Sequence, residues 1–287
     1  MARVLVSNTD LNAITVNSLK IKLRDSGYIN ENSKLFKCGH VSCGEGRVVR
    51  CENVWGCPIC SKRIMRQKAI TVSRAMKKWK SENDHALSMI TLTCSHHLGD
   101  SLEFLTNRLS LAKKILFRSL YYKDFLRKIG YSGIYLTRLE ITYAPKINGW
   151  NPHFHILLFH KKFDFTRIEP RLQQLWVRGL QKSGLYGEEN IGLKISPADD
   201  MKSYMTSLNK EQDSGRYDIK TLMEKVGHGE PWALDAYIEL SDTMKGKHRL
   251  AWSRGAKTAF ELDAPQQDAV AKKPRRRNNE RGGERRR

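Results

Sequence analysis

A cluster of cysteines near the start of the chain constrains the fold more than any other feature. Five of the six cysteines lie between residues 38 and 60, and only Cys94 stands apart. Cys57 and Cys60 form a Cys-x-x-Cys pair around Pro58, and such a pair supplies two zinc ligands from one tight turn. In the reducing cytoplasm that we expect for this chain, clustered thiols favour a metal site over disulfide bonds. Free thiols or a redox pair are the alternatives.

A tetrahedral zinc site needs a second pair of ligands. The candidates are Cys38, His40, Cys43 and Cys51. We prefer Cys38 with Cys51, which gives the pattern Cys-x12-Cys-x5-Cys-x2-Cys, and Cys43 is the main competitor. A zinc ion closed in by four protein ligands is structural, so we expect no chemistry in this module.

The charge balance points to a polyanionic partner. The chain has 51 lysines and arginines against 30 aspartates and glutamates, a net charge of +21. No stretch approaches the ~20 consecutive apolar residues that a membrane span needs, and the first residues lack the apolar core of a secretory signal. We therefore expect a cytoplasmic protein that binds nucleic acid and has no membrane partner.

Two segments concentrate the positive charge. Residues 62–80 have the spacing of a basic helix, in which Arg63, Arg66 and Lys68 are candidates for phosphate contacts. Residues 272–287 contain nine basic and two acidic residues, a composition typical of a disordered tail that binds phosphates without sequence specificity. The candidate contacts in this tail are Arg275, Arg276 and Arg277.

Hydrophobic periodicity predicts a mixture of strands and helices. Alternating apolar residues predict four strands: 88–94, 132–143, 153–159 and 191–195. Helical spacing predicts four helices: 62–80, 101–129, 165–183 and 196 to about 211. Ser101 and Ser196 are the expected N-caps of two of these helices, and Pro197 follows the second cap. The dipeptide Asn148-Gly149 between two strands predicts an antiparallel hairpin.

A histidine pair in the third predicted strand forms a candidate metal site. His153 and His155 are two residues apart, so both side chains point to one face of the sheet, with Cα atoms about 6.6–7 Å apart. The predicted hairpin brings Glu140 within reach. Two imidazoles and a carboxylate leave room for water and phosphate oxygens, a donor set that suits Mg²⁺ or Mn²⁺. Ordinary strand histidines and a solvated glutamate are the alternatives.

Tyr204 is the candidate nucleophile. It follows Asp200 by four residues, so the two side chains share one face of the predicted helix. A tyrosine hydroxyl can attack a phosphodiester when a metal ion polarises the phosphate, leaving a 5′-phosphotyrosine and a free 3′-hydroxyl. Asp200 could then activate water to release the enzyme. The alternative is a tyrosine that only packs.

These motifs, in this order, resemble those of HUH endonucleases. GWNPHFHILLF carries the histidine–hydrophobic–histidine signature, ITLT resembles the first motif strand, and DDMKSYMTSLNKE holds one tyrosine where the third motif is expected. The chain is most similar to rolling-circle replication initiators of bacterial plasmids, in particular the single-tyrosine group from actinobacterial plasmids. That group carries a Cys-Gly and then Cys-x-x-x-Trp-x-Cys-Pro-x-Cys, matched here by Cys38-Gly39 and residues 51–60. AWSRGAK also resembles a segment near the end of that domain, and the resemblance covers residues 36–262.

The resemblance implies an α+β fold, with a five-stranded antiparallel sheet and flanking helices, plus a small zinc-binding module. It implies that His153, His155 and Glu140 bind Mg²⁺ or Mn²⁺ and that Tyr204 nicks one strand of single-stranded or hairpin origin DNA. Asp200 is the expected carboxylate for the terminating step, with Asp199 and Glu211 as alternatives. A host helicase and polymerase are the expected partners.

The resemblance also suggests how the chain divides. The expected segments are an N-terminal segment 1–33, a cysteine-rich zinc module 34–66, an endonuclease domain 67–262 and a basic tail 263–287. Two positions depart from the family pattern: Ser207 stands where a lysine usually follows the tyrosine by three residues, and Asn151 replaces a histidine that is common before Pro-His-x-His. Lys210 lies nearby and is a further candidate for DNA contact.

Other functions remain compatible with parts of this pattern. A transposase or a conjugative relaxase uses the same chemistry, although relaxases usually carry three histidines and an N-terminal tyrosine. A non-catalytic, zinc-containing DNA-binding protein would use only the cysteine module and the basic tail. Formation of a covalent adduct with DNA separates this last class from the nucleases.

Overall fold

An antiparallel sheet organises the part of the chain that the computed structural model describes, residues 13–42, 47–198 and 215–262. The strands are β1 (His85–Leu92), β2 (Tyr135–Ala144), β3 (Gly149–Lys161), β4 (Leu193–Pro197), β5 (Tyr217–Asp218) and β6 (Leu250–Trp252). The helices are α1 (Ala13–Asp25), α2 (Lys34–Lys37), α3 (Pro58–Trp79), α4 (Leu102–Arg118), α5 (Leu120–Lys128), α6 (Glu169–Lys182), α7 (Glu189–Gly192), α8 (Ile219–Gly227), α9 (Pro231–Thr243) and α10 (Ala256–Ala259). The predicted α+β class is confirmed.

The sheet is open, with five strands in the order β4-β1-β3-β2-β5 and a short sixth strand, β6, also paired with β2. All the pairs are antiparallel. The predicted hairpin is confirmed as β2–β3, in which Ala144 lies opposite Gly149. Gly149 has φ +68°, and a Cβ added there would lie 3.3 Å from the backbone oxygen of His97, so this turn requires glycine.

The two faces of the sheet carry different residues. One face is mostly apolar, and Ile90, Phe154 and Ile156 pack there in the main core with α4 and α6. The other face is divided. Its apolar half, which includes Met89 and Leu157, is covered by buried residues of α3. Its polar half contains the histidine pair.

One predicted helix is divided in two. The periodicity over 101–129 predicts a single helix, but α4 ends and α5 begins at Ser119. The Ser119 hydroxyl accepts a hydrogen bond from the backbone N–H of Tyr122 at 3.2 Å. Serine at an N-cap satisfies a backbone donor that the helix leaves open, so this local cap outweighs the continuous apolar stripe. The predicted cap at Ser101 is confirmed.

The predicted N-cap at Ser196 is wrong. Ser196 and Pro197 extend β4, where they lie opposite Met89 and Ser88 of β1. Proline has no backbone N–H to donate to a neighbouring strand. It is tolerated in β4 because this strand lies at the edge of the sheet and pairs only with β1 in the described ranges. The remainder of the predicted helix, from residue 199, lies outside the described residues.

The cysteine-rich segment packs closely against the rest of the described chain. The expected boundary between residues 66 and 67 falls inside α3, which continues from the cysteines to the sheet. The buried Trp55 donates from Nε1 to the backbone oxygen of Lys247 at 2.8 Å, and the Tyr237 hydroxyl donates to that of Gly56 at 2.5 Å. In the described ranges, no helix has both the length and the apolarity to cross a membrane.

Candidate metal centre

Three potential ligands meet on the polar half of the sheet. Glu140 of β2 lies directly opposite His153 of β3, and His155 lies between Arg138 and Thr91 of the neighbouring strands. The Nε2 atom of His155 is 2.9 Å from Oε2 of Glu140, and that of His153 is 3.5 Å from the same oxygen. Residues directly opposite each other in a sheet share a face, which explains why the hairpin brings this carboxylate to the histidines.

The donor set fits a divalent cation. One ligand atom from each of Glu140, His153 and His155 lies within 4.8 Å of the others, and all three residues are buried. Nδ1 of His153 is buried and has no hydrogen-bond partner among the described residues. Nδ1 of His155 lies 3.2 Å from the Thr91 hydroxyl, a contact of the kind that fixes the orientation of a ligating imidazole. These residues could hold a metal ion.

The electrostatics keep the Glu140 carboxylate charged. Burial alone would raise the pKa of Glu140, but hydrogen bonds with His153 and His155 and the charge of Arg138 hold it well below its usual range. An Nη atom of Arg138 lies 3.9 Å from the carboxylate. Glu140 is therefore ionised at neutral pH, the state in which a carboxylate binds a cation.

A cleft of about 630 Å³ opens above the two histidines. Sequence reasoning did not identify several residues that line it: Cys94, His96, Arg216 and Asp218. Nδ1 of His96 lies 2.9 Å from the backbone oxygen of Asn148, and burial lowers the pKa of His96. Burial also raises the pKa of Cys94 to about 12. The cleft thus presents a neutral imidazole and a protonated thiol, for which no motif in the sequence gives a signal.

A second cluster consists of four cysteines. The Sγ atoms of Cys38, Cys51, Cys57 and Cys60 lie within 4.8 Å of one another. Cys60 is 3.5 Å from Cys38 and 3.7 Å from Cys51, while Cys57 is 3.7 Å from Cys38. Tetrahedral zinc with Zn–S bonds of about 2.3 Å requires sulfur separations of about 3.8 Å. The four thiols could therefore hold a zinc ion, and they are the set preferred from the sequence.

The two other candidates for this cluster have different positions. Cys43 lies outside the described residues. His40 is not part of the cluster, and its Nδ1 lies 3.1 Å from Nζ of Lys20. Lys20 is buried and also donates to the backbone oxygen of Cys38 at 2.5 Å, so α1 contacts the cysteine-rich segment directly.

The remaining predicted site residues are only partly described. Arg66 is exposed on α3, Arg63 pairs with Glu52, and Nζ of Lys68 donates to the backbone oxygen of Leu250 at 3.0 Å. The predicted residues outside the described ranges are Tyr204, Asp200, Asp199, Ser207, Lys210, Glu211, Arg275, Arg276 and Arg277. The structure thus brings the three potential metal ligands together, whereas the candidate nucleophile Tyr204 lies outside the described residues.

Comparison with known proteins identifies the family. A family model described as "Replication protein" matches residues 47–273, most of the chain. "Protein rep" of Staphylococcus aureus is 34% identical over 138 residues, 47% of this chain and 52% of that protein. "Protein rep" of Streptomyces lividans is 26% identical over 137 residues, 39% of this chain and 29% of that protein. The chain thus matches about half the length of the first relative and less of the second, and no solved structure matches it. The chain belongs to the replication protein family.

Proposed function

We propose that this chain initiates rolling-circle replication of a plasmid by nicking one strand of single-stranded or hairpin DNA at the origin. The observation that carries the proposal is the buried group of Glu140, His153 and His155 on the floor of an open cleft. A purely structural site would be closed by four protein ligands. Three ligands beneath a cleft leave positions for the oxygens of a phosphate.

The proposed reaction is a transesterification at the scissile phosphate. When bound, Mg²⁺ or Mn²⁺ would neutralise charge that develops on the phosphate oxygens. The Tyr204 hydroxyl loses its proton and its oxygen forms a bond to phosphorus, while the bond from phosphorus to the 3′ oxygen breaks. The 3′ oxygen takes up a proton and leaves as a hydroxyl, and the 5′ end stays linked to the tyrosine.

Termination would reverse or hydrolyse this link. A second 3′-hydroxyl can attack the phosphotyrosine and join the strand, or a water molecule activated by Asp200 can release the enzyme. Asp199 and Glu211 are the alternatives for this general base. A host polymerase would extend the free 3′-hydroxyl, and a host helicase would unwind the duplex ahead of it.

The lip of the cleft offers surfaces for unpaired bases. Tyr186 is 74% exposed and Ile191 is 64% exposed, and Ile191 lines the cleft together with Gly187 and Glu188. Exposed aromatic rings next to a charged groove are typical of surfaces that stack single-stranded bases, and an exposed isoleucine adds apolar contact area. We propose that these two side chains hold bases adjacent to the scissile phosphate.

A covalent-adduct assay tests the proposal. The full chain is incubated with Mn²⁺ and a labelled single strand from the origin of the replicon that encodes it, and the products are separated on a denaturing gel. We expect a shifted, covalent band that is absent with Tyr204→Phe and with His153→Ala. The matched control, Tyr121→Phe, removes a hydroxyl from α5, which packs on the opposite face of the sheet, and should form the adduct. An undiminished adduct with Tyr204→Phe would exclude this tyrosine as the nucleophile.

A further inference from the structure

A second cleft, of about 810 Å³, lies between α1, α3 and α8. We call it the basic cleft. Its lining residues include six cations and no carboxylate: Lys20, Lys62, Arg63, Arg66, Lys220 and Arg249. Like charges brought together around a concave surface repel one another and attract an anion. Part of this charge is compensated locally: Arg63 pairs with Glu52, and Nζ of Lys220 lies 3.6 Å from a carboxylate oxygen of Glu224. Arg249 makes no ion pair of this kind in the described part of the chain.

Arg249 is the most unusual member of the basic cleft. Only 4% of the residue is exposed, and its Nε is buried without a hydrogen-bond partner in the described part of the chain. Its guanidinium lies 5.4 Å from the ring centroid of Trp55. Burial lowers the pKa of Arg249 to about 10, so the group is still charged at neutral pH. A buried N–H without an acceptor is costly to the fold, and an oxygen of a bound anion would supply the acceptor for Nε.

Two helix N-termini add to this positive field. The first turn of α3, from Pro58 to Ser61, lines the basic cleft, and so do Ile219 and Lys220 at the start of α8. Each helix N-terminus carries a partial positive charge, which favours phosphate. One N–H of each first turn is already capped, by the Cys57 sulfur in α3 and by the Asp218 carboxylate in α8. The helix ends and the buried guanidinium therefore favour the same class of ligand.

The basic cleft adjoins the cleft above the metal centre. Asp218 lines the cleft of the metal centre, and the next residue, Ile219, lines the basic cleft. The backbone oxygen of Arg249 accepts from the N–H of Leu139 at 3.0 Å, one residue before the potential ligand Glu140. The two clefts are therefore neighbours at the start of α8, so one DNA strand could contact both.

We propose that the basic cleft binds a backbone phosphate of single-stranded DNA, with Arg249 as the buried anchor and Arg66 and Lys220 at the rim. A flexible single strand can place one phosphate between the helices, next to the guanidinium of the buried Arg249. A duplex is rigid and keeps its phosphates on the outer surface of a cylinder, so it cannot place a single phosphate next to a buried arginine. The choice of DNA as the source of this phosphate rests on the proposed function.

The test measures binding of a fluorescein-labelled single-stranded oligonucleotide by anisotropy, at several salt concentrations and with no added Mg²⁺ or Mn²⁺. We expect Arg249→Met to weaken binding at least about fivefold and to reduce the log–log salt slope by about 0.7, the value for one lost phosphate contact on a single strand. Because Nε of Arg249 is buried without an acceptor in the described residues, the melting temperature should stay the same or rise. The control, Lys182→Met, removes an exposed charge from α6 on the other face of the sheet and should bind almost as wild type does.

A second variant covers the case in which Arg249→Met does not fold. Arg66→Met and Lys220→Met combined change only the rim, and this double variant should lose affinity and salt slope as well. Wild-type binding by either folded variant would overturn the proposal, as would an equal loss of affinity for duplex DNA of the same sequence. The adduct assay is independent of this result. If the wild-type chain forms the adduct and Arg249→Met binds DNA normally, only the proposal for the basic cleft is refuted. If the wild-type chain forms no adduct but Arg249→Met binds DNA more weakly, only the nicking is refuted.

Discussion

The candidate metal centre depends on a few side chains whose positions follow from strand pairing. Spacing alone shows that His153 and His155 share a face, and the Asn148-Gly149 turn sets the pairing that brings Glu140 opposite His153. The contact between Thr91 and His155 could not be predicted in the same way, because β1 is far from β3 in the chain. Arg249 gave no signal either, since a single arginine in a basic sequence matches no motif.

Thr91 should matter for metal binding although it is not a ligand. Its hydroxyl lies 3.2 Å from Nδ1 of His155, and loss of such a contact typically weakens metal binding about 10–100-fold. We expect Thr91→Val to weaken Mn²⁺ binding within that range, as measured by calorimetry, with little change in melting temperature. Thr91→Ser keeps the hydroxyl and should bind Mn²⁺ as wild type does. Equal losses in both variants would show that packing of the methyl group is responsible.

Lys113 should give the stability of the chain a pH dependence in the alkaline range. The ammonium lies 4.0 Å from the ring centroid of Phe154, and burial lowers the pKa of Lys113 to about 8. Between about pH 8 and pH 10.4 the unfolded chain binds more protons at this lysine than the folded chain does, so its contribution to stability rises with pH. Below that window the folded state carries the cost of the buried charge.

We therefore expect Lys113→Met to raise the free energy of unfolding by about 1 kcal/mol at pH 7, after allowance for the lost contact with the ring. The difference between variant and wild type should shrink as the pH rises towards 10. Urea titrations at pH 7 and pH 9.5 measure it, with Lys114→Met as the neighbouring control. A difference that grows with pH would contradict this sign.

Helices and strands could be predicted from the sequence where all the local signals indicated the same element. The basic helix and the β2–β3 hairpin were predicted correctly because periodicity and turn residues agreed. Ser119 and Ser196 were misjudged for opposite reasons. At Ser119 a local cap interrupts a continuous apolar stripe, whereas at Ser196 pairing with β1 overrides a strong local cap signal. Local sequence does not contain the partner strand, so this second outcome could not be predicted.

The cysteine cluster should stabilise the start of α3. Cys57 is the N-cap of α3, and Cys60 lies in its first turn. Removal of the metal with a strong zinc chelator should speed hydrogen exchange of the amides between residues 47 and 66, because four thiols without a metal have nothing to hold them together. The histidine group shares no ligand with this cluster and should still bind Mn²⁺. Loss of Mn²⁺ binding together with the zinc would show that the two sites are not independent.

At the scale of the whole molecule, the net charge of +21 is divided between the described surfaces and residues 272–287. The basic cleft combines charges from three helices with Arg249, just before β6, and no single stretch of sequence reveals that convergence. The basic tail, in contrast, can be identified from composition alone. The fold class was also within reach of the sequence, because the motifs occur in the order typical of one family.

Removal of residues 272–287 should weaken DNA binding without changing the site of cleavage. This segment has nine basic and two acidic residues, and each lost contact with a phosphate lowers the log–log salt slope by about 0.7–0.9. We expect a lower affinity, a shallower slope and the same nick position on a sequencing gel. A displaced nick in the truncated chain would mean that the tail positions the DNA.

We propose above that Tyr204 attacks a phosphate held over Glu140, His153 and His155. Peptide mass spectrometry of the protein–DNA adduct, after digestion with trypsin and nuclease, identifies the residue that carries the DNA. We expect a nucleotide phosphate on the peptide that contains Tyr204, formed with Mn²⁺ and absent from His153→Ala. A nucleotide attached to any other residue, or an adduct that forms equally well in His153→Ala, would contradict it.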